Sequence, residues 1–71
     1  MTQVLANATV DIITPSNPKQ AGQFKVHVWG KEPYNYEMDY VITAISDIQA
    51  AQQGIQTFVK DAEALGPKGT A

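Results

Sequence analysis

From Ser46 to Leu65 the apolar residues recur every three or four positions, at Ile48, Ala51, Ile55, Phe58, Val59, Ala62 and Leu65. This is the stripe of an amphipathic helix with one buried face. Both ends are marked. Ser46 with Gln49 three positions later has the form of a capping box, in which the serine oxygen accepts from the N3 amide and the glutamine reaches back. Asp47 places negative charge at the positive end of the helix dipole. Gly66-Pro67 stops the helix, since glycine tolerates the left-handed conformation beyond the last turn and proline cannot continue it. Gly54 runs against this pattern, because an interior glycine costs a helix about 1 kcal/mol relative to alanine. It lies one residue from the stripe, which predicts a close approach between helix and neighbouring layer.

Upstream the period changes to two. Phe24, Val26 and Val28 alternate with Lys25, His27 and Trp29, and Tyr36, Met38, Tyr40 and Ile42 alternate with Glu37, Asp39, Val41 and Thr43. These segments predict two strands. Gly30-Lys31-Glu32-Pro33-Tyr34-Asn35 between them supplies turn-forming residues. A further strand is expected across Ala8 to Thr14, rich in Val, Ile and Thr, ending in the loop Pro15 to Gly22. Short connections favour antiparallel neighbours. The expected fold is therefore α+β: a three-stranded antiparallel meander followed by one C-terminal helix packed on one face, a two-layer βββα arrangement. Residues 1–66 are expected to form a single domain and residues 67–71 a loose tail.

One buried face fixes the hairpin register, because directly opposed residues of an antiparallel pair point to the same side. Phe24, Val26 and Val28 should face Ile42, Tyr40 and Met38, and on the other side Lys25, His27 and Trp29 should face Val41, Asp39 and Glu37. Tyr36 and Tyr40 then belong to the core with their hydroxyls at its rim, and Tyr34 lies on the loop. Trp29 emerges on the side that the helix leaves bare, with Val41, Ile13 and Ile45 as expected neighbours. An indole among aliphatic side chains is a candidate interaction patch.

Composition narrows the possibilities. A chain of 71 residues buries a small fraction of its surface, and domains of this size commonly lean on disulfides, a structural metal or a partner subunit. There is no cysteine, and His27 is the one histidine where a structural zinc site wants four Cys or His ligands. Self-association is the expectation that remains. The absence of cysteine suits a reducing compartment, and MTQVLANATV has neither a basic n-region nor an apolar run long enough for a signal peptide or membrane span. A cytoplasmic protein without membrane contact is expected. The five lysines (19, 25, 31, 60 and 68) are scattered, arginine is absent, and net charge is −2 with a pI near 5.0. Nucleic-acid binding, which relies on clustered cations, is disfavoured.

The chemistry on offer is sparse. His27 has Asp39 as an orienting partner, but the register puts no serine or cysteine nucleophile beside it. Glu37, Asp39 and His27 fall short of a site with two histidines and a carboxylate. The glycines at 22, 30, 54, 66 and 69 do not form a phosphate loop. No enzyme activity, metal or cofactor is expected.

The order of three strands and a serine-opened, alanine-containing helix is similar in topology to the latter part of a double-stranded RNA-binding domain. That family meets phosphates through lysines at the start of this helix. The corresponding stretch here, Ser46-Asp47-Ile48-Gln49-Ala50-Ala51, carries an acid and no base, so the likeness implies topology without nucleic-acid contact. The expected function is a small non-enzymatic protein-binding module, homodimeric through its uncovered sheet face or an edge strand. Its partner-binding residues are expected to be Trp29, Tyr34, Val41, His27, Glu37 and Asp39. The alternative is an acidic inhibitor, in the manner of a phage-type antagonist, that masks a basic nucleic-acid-binding surface of another protein.

Overall fold

A computed structural model describes residues 4–68. Strands β1 (Ala6–Thr14), β2 (Gly22–Gly30) and β3 (Glu37–Ala44) precede helix α1 (Asp47–Leu65). The strands form one antiparallel sheet in the order β1-β2-β3, and α1 packs against it. This is the expected βββα arrangement. The first strand begins two residues earlier than its β-branched stretch suggests, at Ala6, and the third begins at Glu37.

Every expected pair of the second hairpin is present, from Phe24 opposite Ile42 to Trp29 opposite Glu37. On the other side of β2 the partners are Ala8 with Val28, Val10 with Val26 and Ile12 with Phe24, after which the register slips by one residue so that Thr14 meets Gln23. A residue added to one strand bends it locally and ends regular pairing. The regular part of β1 therefore stops at Ile12.

The helix begins where the serine predicts: Ser46 is extended, and its Oγ accepts from the Gln49 amide at 3.1 Å. The glutamine reaches back one residue further than a capping box requires, its Oε1 accepting from the Ile45 amide at 3.0 Å. Gly66, at φ 85°, closes the other end by donating its N–H to the Ala62 carbonyl. The buried face differs from the expected stripe. Ala50, Gly54, Phe58 and Ala62 point into the sheet, while Ile48 and Leu65 are 68% and 60% exposed. At about 100° per residue Ile48 sits about 120° around the axis from Gly54. Leu65, in the last turn, borders a shallow open depression with Met38, Asp61 and Ala64.

Gly54 stands at the centre of the contact. A Cβ there would lie 2.6 Å from Cγ1 of the buried Val26 and 3.4 Å from Cδ1 of Ile42, so the glycine sets the spacing between helix and sheet. Phe24, Val26, Val28, Ala44, Ala50, Phe58 and Ala62 surround this contact. Tyr36 and Tyr40 pack against the core as expected and end in hydrogen bonds, Tyr36 to the Gly66 carbonyl at 2.6 Å and Tyr40 to Asp61 Oδ2 at 2.7 Å.

Tyr34 is on the loop but is 9% exposed and part of the core. Within this loop the Tyr34 amide donates to the Lys31 carbonyl, and the Glu32-Pro33 peptide bond is cis. Beyond the helix, the Lys68 amide donates to the Pro33 carbonyl and the Lys68 ammonium lies 5.5 Å from the centre of the Tyr36 ring. Lys68 of the expected tail is thus docked on this loop, and residues 69–71 lie outside the described residues.

Candidate functional site

Since α1 covers one side of the sheet, the register alone dictates what stands on the other. Opposed residues share a face, so its rows are Asn7-Trp29-Glu37, Thr9-His27-Asp39, Asp11-Lys25-Val41 and Thr14-Gln23-Thr43. Five of the six expected partner-binding residues, Trp29, His27, Glu37, Asp39 and Val41, lie here. Tyr34 does not, because its side chain is committed to the core beneath the opposite face.

Within the face, the second row is the best defined. Nδ1 of His27 is 2.5 Å from Asp39 Oδ1, and Nε2 is 3.6 Å from Glu37 Oε2. Both ring nitrogens therefore look at carboxylates, an arrangement that favours the imidazolium, which can donate from both. The hydrogen bond to Asp39 is the main reason the His27 pKa is raised above 6.5. Reciprocally, the hydrogen bond from His27 holds the Asp39 carboxyl below its ordinary 3.8. On the same strand the His27 and Trp29 rings lie 5.5 Å apart at an interplanar angle of 35°. The indole is half-buried, leaning on an imidazole that β3 holds in place.

Expected aliphatic neighbours of Trp29 are elsewhere. Asn7 and Glu37 flank it in its own row, and Val41, 66% exposed, is two rows away beyond the His27-Asp39 pair. Ile13 falls at the register slip and Ile45 just past the end of β3, both at the far end of the sheet. The uncovered face is thus polar around a single aromatic anchor.

That far end carries a feature that alternation along the chain does not reveal. Ile12, Ile13, Ile45 and Ile48 are all more than half exposed. They gather there because β1 ends beside the start of β2, which pairs with the end of β3, and the Ser16 hydroxyl ties the first loop to the Ile45 carbonyl at 3.2 Å. The helix enters from β3, two strands away from Ile12, and leaves that corner of β1 uncovered. The signal in the sequence is the adjacent pair Ile12-Ile13 in β1, which cannot both point to one buried face.

Among the described residues no group of three or more His, Cys, Asp or Glu side chains is placed to hold a metal ion, and no helix is long and apolar enough to cross a membrane. The fold defines a small two-layer α+β module. No protein-family model, curated protein or solved structure matches the chain.

Proposed function

We propose that this chain is a non-enzymatic protein-binding module that recognises its partner with the uncovered sheet face. The observation that carries the reading is the fixed pose of Trp29 on that face: the indole leans on His27, and His27 is held by Asp39. A large aromatic whose neighbours are already ordered loses little freedom on binding, and such residues dominate protein interfaces. The surrounding Asn7, Thr9, Asp39 and Glu37 supply the polar rim. The lack of cysteine suits action in the cytoplasm.

Affinity capture from the native source, with the wild-type chain and Trp29→Ala side by side, tests this. A partner retained by the wild type and lost by a Trp29→Ala chain of unchanged circular dichroism is the expected result. Equal retention by both contradicts the reading. Salt separates the anchor from an acidic-mimic mode: binding led by the indole changes little between low and high salt, whereas the masking of a basic surface by Glu37 and Asp39 weakens steeply.

A further inference from the structure

The apolar side chains of the described residues are distributed unusually. The buried set includes three alanines, Ala44, Ala50 and Ala62, whereas seven large aliphatic residues are more than half exposed. Three of those seven, Leu5, Ile12 and Ile13, are on β1 or beside its first residue, and Ile45 and Ile48 stand at the end of the sheet where β1 finishes. β1 is also an outer strand. Between Ala6 and Thr14 it has no lysine and no proline, the residues that commonly guard an edge, and Asp11 is its one charge. The other edge, β3, carries Glu37 and Asp39.

We propose that β1 pairs antiparallel with β1 of a second copy of this chain, about a two-fold axis at Thr9, to make a continuous six-stranded sheet with both helices on one face. This deepens the reading of the chain as a binding module by naming one of its partners. The case for a second copy is the self-complementarity of the strand. Regular pairing spans Ala6 to Ile12, and Thr9 is the middle of that stretch. Turning the strand on itself there sets Thr9 against Thr9, Asn7 against Asp11, Ala8 against Val10 and Ala6 against Ile12. On the open side a hydroxyl meets a hydroxyl and an amide meets a carboxylate, both favourable cross-strand pairs. On the helix side each small residue meets a large one, so exposed Ile12 gains cover without crowding. An axis at Asp11 would oppose two carboxylates, and an axis between residues would oppose side chains of opposite faces, which antiparallel pairing does not allow. An axis at Val10 leaves Ala6 and Asn7 opposite the irregular end of the partner strand.

The chain has no cysteine, so Thr9→Cys introduces a single thiol at the proposed axis. Mild oxidation should link it into a dimer, because opposed Cβ atoms on paired strands lie about 4.5–5.5 Å apart, a small adjustment from the separation a disulfide spans, while Val41→Cys on the open face should remain unlinked. Sedimentation equilibrium should give twice the 7.7 kDa chain mass. Asn7→Asp, which opposes a carboxylate to Asp11 twice per dimer, should weaken association by about tenfold, and Asp11→Asn added to it should restore the wild-type constant. A wild-type chain that stays monomeric at the highest attainable concentration overturns the proposal. So does a dimer indifferent to these substitutions, and oxidative linking of the Val41→Cys variant, with dissociation by Trp29→Ala, would move the interface to the open face. Loss of the dimer with Trp29-dependent capture intact would refute the edge pairing alone. Loss of Trp29 dependence with the dimer intact would refute the open-face reading alone.

Discussion

Among the individual side chains, His27 is the group whose state sets the character of the open face. Its raised pKa means that the folded chain binds the proton more tightly than the unfolded one. The stability this adds is complete below pH 6.5 and is lost as pH rises through the higher value of the folded state. Asp39 contributes in the opposite direction, adding stability above its ordinary 3.8 that disappears as pH falls through its lowered value. An NMR titration of the imidazole should place its midpoint above 6.5, and Asp39→Asn should bring it down, since that hydrogen bond is the largest cause of the shift. A midpoint at or below 6.5 in the wild type would contradict the pairing. Tyr40 behaves differently: burial first, then the nearby Asp61 carboxylate, push its pKa up to about 12. Its contribution to stability is present below 10.0 and is lost as pH climbs toward 12. Absorbance of the phenolate should show one tyrosine ionising late, and Asp61→Asn should recover only part of the shift. The cross-strand partners of His27 were legible in the sequence because the register follows from alternation alone. The inward turn of Tyr34 was not, since it belongs to the conformation of the loop, which no periodicity encodes.

Between the secondary-structure elements, helix and sheet are matched through Gly54. Alanine there would gain about 1 kcal/mol of helix propensity. Its methyl would meet Val26, a stiff and fully buried side chain, at 2.6 Å, and overpacking of this kind costs roughly 1–3 kcal/mol. The contact should win, so Gly54→Ala is expected to lower the urea midpoint, and a raised midpoint would mean that the two layers separate easily. Ser46→Ala should cost about 1 kcal/mol in the same measurement through loss of the cap to the Gln49 amide. Helix limits, strand order and hairpin register were all readable from periodicity and capping residues. The buried face of the helix lies one notch away from its most hydrophobic stripe, because hydrophobicity favours Ile48 and Leu65 over Gly54 and Ala50. The sheet instead selects the smallest residues for its closest contact. The slip between Ile12 and Thr14 also escaped, since β1 is apolar on both faces there and its alternation carries no register.

In the molecule taken together, one helix covers one side of three strands, and it leaves the other face without a second layer and the outer edge of β1 without a neighbouring strand. The two proposals assign those surfaces separately, the face to a partner protein and the β1 edge to another copy. They are compatible only if the copies join side by side, so that both indoles stay in water when the dimer forms. The chain has a single tryptophan, and acrylamide quenching of its fluorescence across the concentration range of association therefore probes both assignments at once. Quenching that stays efficient while the mass doubles is the predicted result. Emission that shifts to the blue and loses its sensitivity to quencher as the dimer forms, or that is shielded in the monomer already, would contradict it.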